Sequence, residues 1–388
     1  MNTRSGVLAK SAVSADGMTS AFCHLKIAAG CPSIGDHFNL KDTMAMKALV
    51  YHGPGQRTWE DKSQPTITRP TDAIVRITHT TICGTDLHIL NGDVPTVESG
   101  RTLGHEGIGI VEDIGDGVAN FEAGDSVLIS CVTSCGHCDY CKRGMYAHCR
   151  DGGWILGNTI DGTQAESVRI PHADNSLYRL PEDMDPTSAV MLSDILPTGH
   201  EIGALNGEVG LGDTVAIVGS GPIGLAALLT TRLYSPARII MIDMDENRLA
   251  MARQLGATET IATNPVDTVM KLTDGEGVDV VMEAVGIPDT FDICQRIVRA
   301  GGHIANIGVH GTSVEFHLED LWIKNVTVRT GLVNTNTIPV LMRTLEAGGV
   351  KPAELVSHRF TLDEIEQAYD VFSQAAEEKA IKLLLTAQ

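Results

Sequence analysis

A chain of 388 residues, 43% hydrophobic and 20% charged, is long enough for two domains, each with its own core. Its formal net charge of −20 argues against nucleic acid or an anionic membrane as a partner. The longest apolar stretch, Val215 to Leu229, is broken by Gly219, Gly221, Pro222 and Gly224, so no membrane span is expected. These values describe a soluble cytoplasmic enzyme better than a scaffold.

Residues 1–45 lack helical or strand periodicity and are expected to be a disordered or accessory extension without chemistry. Arg4, Lys10 and Lys26 are compatible with an organelle-targeting peptide, but Asp16 and Asp36 spoil its acid-poor pattern. Met44 or Met46 is an alternative start. From residue 46 to 195, short β-rich segments are separated by glycine, proline and aspartate turns. Met46–Tyr51, Ala73–Thr78, Gly107–Val111 and Asp125–Ser130 are examples, and they predict an all-β or barrel-like unit.

Within that unit lies Cys135-Gly-His-Cys138-Asp-Tyr-Cys141, followed by Cys149. Spacing of this kind lets tight turns aim successive sulfurs inward and a longer loop supply the fourth. Four thiolates closing a tetrahedron, with no open position, are the mark of a structural zinc site. A disulfide framework suits small secreted chains, whereas this long chain carries no expected secretory signal. The remaining cysteines, Cys23, Cys31, Cys83, Cys131 and Cys294, are scattered.

After residue 195 the pattern changes to strand–helix alternation. Strands are expected at Thr214–Val218, Arg238–Asp243, Val278–Met282, Gly302–Ile307 and Val326–Thr330, with helices at Ile223–Leu233 and Glu246–Leu255. Such alternation predicts a parallel, doubly wound sheet. The helix Leu362–Phe372 and strand Ala380–Leu385 are expected to return to the first domain. Gly219-Ser-Gly221-Pro222-Ile223-Gly224 follows a strand, opens a helix, and has Asp243 at the end of the next strand. The glycines permit the turn, the approach of a pyrophosphate and the packing of helix on strand, with the phosphates at the helix N-terminus. Asp243 is suited to the adenosine ribose hydroxyls and repels a 2′-phosphate, so NAD is expected over NADP. Pro222, Ile223 and Arg248 complete the expected cofactor contacts.

Two further motifs, Ile82-Cys-Gly-Thr-Asp-Leu-His88 and Gly104-His-Glu106, are unremarkable singly. A lone cysteine in an apolar strand is commonly core, and a histidine at a strand end commonly only solvated. Taken in order with the glycine-rich segment Gly104–Val118, the four-cysteine loop and the glycine turn, they make the chain from about residue 46 onward resemble a zinc-dependent medium-chain alcohol dehydrogenase.

The resemblance implies a GroES-like catalytic domain over 46–195 and 332–388 and a Rossmann domain over 196–331. It implies two zinc ions, one structural at Cys135, Cys138, Cys141 and Cys149 and one catalytic. Cys83 and His105 match two catalytic ligands. The third falls at Asp194, where many members have cysteine in a Cys2His set. That departure resembles the formaldehyde-dehydrogenase-like and bacterial alcohol dehydrogenase branches. The implied chemistry is reversible oxidation of an alcohol to an aldehyde or ketone. Zinc lowers the alcohol's pKa and NAD takes the hydride. Thr85 takes the proton and passes it through the cofactor ribose to His88. Asp86 holds His105 by a hydrogen bond. Glu106 either enters the zinc shell or stays beside it without a metal bond. A formaldehyde dehydrogenase or dismutase, a threonine- or polyol-type dehydrogenase, and a non-catalytic nucleotide-binding protein are the alternatives. Expected partners are a small alcohol or aldehyde and further copies of the chain, as a dimer or tetramer.

Overall fold

The computed structural model describes residues 45–387. The expected N-terminal extension and the alternative start at Met44 lie outside the described residues, except that Ala45 already opens the first strand.

The first half of the described chain lays down eight strands. They are β1 (Ala45–Gly53), β2 (Gln56–Ser63), β3 (Ala73–Thr81), β4 (Arg101–Thr102), β5 (Gly107–Ile114), β6 (Ser126–Ile129), β7 (Ser167–Ile170) and β8 (Leu177–Arg179). One small sheet has the order β2-β1-β4, while β3, β5, β6 and β8 run antiparallel through a larger one, with β7 also paired to β3. Side chains from four of these strands, including Val75, Ile77, Val111, Val127, Ile129, Val168 and Ile170, fill a common interior. Removing each such side chain from water contributes roughly 1.5–3 kcal/mol, which is what curls the sheet onto itself.

The second half builds β9 (Thr214–Val218), β10 (Arg238–Ile242), β11 (Glu259–Ile261), β12 (Val278–Glu283), β13 (Val298–Asn306) and β14 (Thr327–Thr330). These six strands are all parallel, in the order β11-β10-β9-β12-β13-β14. Relabelled from one, that is the 3-2-1-4-5-6 order of a Rossmann sheet, with its crevice where the order reverses between β9 and β12. β9 reads Thr-Val-Ala-Ile-Val with four buried residues, as a strand covered on both faces must. The fold is therefore the expected two-part α/β architecture.

The chain ends with β15 (Val356–Thr361) and β16 (Lys382–Thr386), parallel to each other, and β16 pairs antiparallel with β3 through Leu384 and Thr81. Helix Ile365–Ser373 buries Ile365, Ala368, Tyr369 and Phe372 among Leu49, Ile82, Ile89 and Leu383. A larger core runs without a break from Ile108 and Leu128 through Val190 and Leu196 to Ile217, Leu228 and Met282. The two sheet systems thus share packed side chains. No helix among the described residues is long and apolar enough to cross a membrane.

One expectation is corrected. Cys83 is not in a strand, and His88 is not at a strand end. β3 stops at Thr81, Cys83 caps the helix Gly84–Asn91, and His88 lies in its last turn. Asp86 accepts from the Cys83 amide as a capping box, and Gly92 closes the helix at φ +84°.

Candidate active site and metal centres

Cys83 reaches the site from the start of its helix. His105 and Glu106 arrive from the turn between β4 and β5, where Gly104 has φ +93° and lies so close to Gln164 that a Cβ would fall 2.6 Å from its side chain. Asp194 lies just before the helical turn Ile195–Thr198 and is held there by the Thr198 hydroxyl at 2.6 Å. Three stretches distant in sequence converge in this way. The His105 Nε2 lies 3.4 Å from Asp194 Oδ2, and the Cys83 sulfur lies 3.8 Å from the same oxygen. Ligand atoms of Cys83, His105 and Glu106 also fall within 4.8 Å of one another.

The electrostatics are those of a cation site. Burial alone would lower the His105 pKa, but hydrogen bonds to Asp194 and Cys83 override it and hold a proton on the ring. Burial likewise disfavours charge on Asp194, yet the hydrogen bond with His105 keeps its carboxyl well below the usual range. The ring proton does what a metal cation among the same donors does better. Thiolate, imidazole and carboxylate together suit zinc.

On the far side of the ring, His105 Nδ1 faces Asp86 Oδ1 at 3.9 Å, and neither buried atom has another partner. The expected hydrogen bond is not made at that distance, although the two groups face each other. The other oxygen of Asp86 accepts from the Cys83 amide at 2.9 Å and from Gln164 at 3.1 Å, and Tyr369 in turn holds Gln164 at 2.7 Å. The Thr85 hydroxyl stands 3.6 Å from the Cys83 sulfur. His88 lies farther out, half-exposed, with Nδ1 3.0 Å from Asp93.

Two residues at this site were not anticipated from sequence. Cys131, buried, puts its sulfur 3.6 Å from Asp194 Oδ1. Lys382, on β16, ion-pairs with Glu106 at 2.6 Å. Only a lysine amid the apolar run of β16 could have flagged the second.

The four-cysteine loop forms a separate centre. Sulfurs of Cys135, Cys138, Cys141 and Cys149 all lie within 4.8 Å of one another. Backbone amides of residues 135, 138 and 141 point at the sulfurs of Cys149, Cys135 and Cys138 at 3.2–3.5 Å, the pattern that favours thiolates. Amide donation from Arg150 lowers the Cys138 pKa to about 6, whereas burial pushes Cys141 up to about 12.

The nucleotide turn follows β9. Gly219 sits at φ +105°, and a Cβ on Gly224 would lie 1.9 Å from the Gly219 carbonyl, so both positions require glycine. Gly221 precedes the helix Pro222–Thr231, with Pro222 at its first position and Ile223 next. A Cβ on Gly221 would meet nothing nearer than the Arg248 guanidinium at 3.9 Å, which leaves its backbone open to a ligand. Asp243, one residue beyond β10, accepts from the Ser220 amide at 2.7 Å and the Asp245 amide at 2.9 Å. Arg248 lies 4.0 Å from it. All the expected cofactor residues are therefore neighbours.

Comparison with known proteins agrees with this arrangement. The family described as Alcohol dehydrogenase GroES-like domain matches residues 69–182, and that described as Zinc-binding dehydrogenase matches residues 222–347. An alcohol dehydrogenase of Cupriavidus necator is 37% identical over 366 residues, covering 85% of this chain and 96% of the relative. Zinc-dependent alcohol dehydrogenase 2 of Streptococcus pneumoniae, solved in apo form, is 57% identical with a TM-score of 0.85, covering 88% of this chain and 99% of that one. The alcohol dehydrogenase TADH of Thermus sp. ATN1 is 35% identical with a TM-score of 0.82, covering 88% of this chain and 100% of that one. The chain belongs to the zinc-dependent medium-chain alcohol dehydrogenases, oxidoreductases that work with zinc and a nicotinamide cofactor.

Proposed function

We propose that this enzyme reversibly oxidises a small alcohol to an aldehyde or ketone with NAD as hydride acceptor. Cys83, His105 and Asp194 hold the catalytic zinc, and Cys135, Cys138, Cys141 and Cys149 hold the structural one. The observation that carries the proposal is the convergence of Cys83, His105 and Asp194 beside the Thr85 hydroxyl. When bound, zinc supplies Lewis-acid polarisation of the alcohol oxygen and the nicotinamide accepts the hydride.

The chain's own residues do the rest. Asp86 faces the outer nitrogen of His105, and its charge favours a proton there, which leaves the inner nitrogen free for the ligand cluster. The Thr85 hydroxyl relays the alcohol proton, accepting it as it gives up its own. His88, three residues on along the same face of the helix, releases it to solvent from a half-exposed position, with Asp93 orienting the ring. Gly219, Gly221 and Gly224 would let the backbone approach a pyrophosphate at the N-terminus of the helix Pro222–Thr231. Asp243, with Arg248 beside it, binds the adenosine ribose, and its charge opposes a 2′-phosphate. Glu106 stands next to the metal without being a resident ligand.

The domain division is 46–195 with 332–388 for catalysis and 196–331 for the cofactor. The enzyme is a homo-oligomer, dimeric or tetrameric. β14 ends its sheet as an edge strand, and Val328 on it and Trp322 and Ile323 in the turn before it are exposed, which supports pairing between copies there. Seven cysteines among the described residues are unpaired, in keeping with a reducing cytoplasm. Initial rates with primary, secondary and aromatic alcohols and formaldehyde, each with NAD and NADP, test the reaction class. Substrate-dependent NADH formation that persists in Cys83→Ala and His105→Ala refutes it.

A further inference from the structure

Lys382 has no part in the reaction outlined above, yet it lies at its centre. It is 1% exposed on β16, brought to the site from 276 residues beyond its partner. Its ammonium donates to Glu106 Oε2 at 2.6 Å and to the Ile82 carbonyl at 3.2 Å. The Thr81 hydroxyl donates to the same Oε2. Glu106 Oε1, in a side chain that is itself 1% exposed, has no partner at all. One oxygen of this carboxylate is held twice and the other is bare, within a cluster that includes the Cys83 sulfur and a His105 nitrogen.

Stability does not account for the pair. A buried lysine–glutamate ion pair is commonly no better for folding than apolar residues of the same volume, because desolvation offsets the Coulombic attraction. The metal chemistry does account for it. Three protein ligands leave zinc open to substrate, whereas four close the tetrahedron into a structural site. An unrestrained anionic carboxylate beside Cys83, His105 and Asp194 would become that fourth ligand.

We propose that Lys382 is a positioning residue which, with Thr81, pins Oε2 of Glu106 and so holds the carboxylate back from the catalytic metal, keeping the fourth coordination position open. The proposal rests on the metal occupying the Cys83–His105–Asp194 pocket.

The test uses the full chain with cobalt(II) exchanged into that pocket and imidazole as a probe of the open position, read from the visible cobalt bands. Wild type and Lys382→Arg should bind imidazole with similar affinity and spectral change. In Lys382→Met the bands should shift before any addition, and imidazole affinity should fall at least about tenfold as Glu106 takes the position. Removing the competing carboxylate, in Lys382→Met with Glu106→Gln, should restore the binding. Wild-type bands and affinity in Lys382→Met overturn the proposal. Should that variant fail to fold, Thr81→Val, which loses one of the two anchors, carries the same test, and unchanged affinity there overturns it equally. Cobalt bands in wild type that ignore imidazole, and that survive Cys83→Ala, instead overturn the metal assignment itself.

Discussion

Glu201 is a buried carboxylate away from the chemistry whose replacement should have a measurable local effect. It lies in the π-helical turn Gly199–Leu205, buried, and its carboxylate receives the segment that leaves the parallel sheet. Oε2 accepts from the amides of Asn334 at 2.8 Å and Thr335 at 3.2 Å, and Oε1 from the Thr337 amide at 3.1 Å and hydroxyl at 2.7 Å. Thr335 is 1% exposed at φ +62°, a conformation that a threonine keeps only when its surroundings impose it. In Glu201→Gln the new amide group loses least on the Oε1 side, where the Thr337 hydroxyl turns to accept from it and only the Thr337 amide is left without an acceptor. One donor without its partner costs about 1–3 kcal/mol of local stability. Hydrogen exchange reads this directly, since about 1.4 kcal/mol is a tenfold change in the opening equilibrium. The Thr337 amide, and with it those of Asn334 and Thr335 in the same segment, should exchange between about fivefold and a hundredfold faster. The Leu228 amide, in the helix Pro222–Thr231, should keep its protection. Unchanged exchange at the three amides in a folded variant refutes the reasoning.

Other outcomes follow from the same geometry. The 334–337 segment also touches the four-cysteine lobe, through Ala147 to Asn334 at 3.2 Å and Asn336 to Gly144 at 3.1 Å. Cys149→Ala should therefore lose one zinc per chain by metal analysis and speed exchange at the same amides; loss of metal without that change breaks the link. Asp243→Ser should raise the NADP-over-NAD ratio of kcat/KM at least about tenfold, roughly 1.4 kcal/mol, and an unmoved ratio removes Asp243 from cofactor choice. Gly224→Ala places a methyl 1.9 Å from the Gly219 carbonyl and should abolish NADH binding by fluorescence titration while the catalytic zinc stays bound. Thr85→Val should lower kcat at least about a hundredfold with zinc content unchanged, since it removes the proton acceptor and no ligand.

Much of this was legible because it is local. β9, the glycine turn and its helix follow one another within twenty residues, and the four-cysteine loop carries its own spacing. Cys83 and His105 gained meaning only through the family resemblance, because nothing in their neighbours' periodicity announces a site. The helix Gly84–Asn91 was missed although Cys83 and Asp86 form a capping box, because Leu87, Ile89 and Leu90 also read as an apolar strand end. Lys382 and Cys131 could not be assigned partners from the sequence. Lys382 reaches Glu106 from 276 residues away through the pairing of β16 with β3, and Cys131, in the loop after β6, meets Asp194 63 residues on, so no local signal names either partner. β2, half-exposed along its length, and β15 lie at sheet edges, where alternation is weak.

Asp194 decides the central claim, since it is the third ligand proposed for the catalytic pocket. Zinc content and alcohol-dependent NADH formation should be measured together on wild type and Asp194→Ala. The account predicts two zinc ions per chain in wild type, one in the variant, and loss of turnover with the fold retained by circular dichroism. Two zinc ions and undiminished turnover in Asp194→Ala would contradict it.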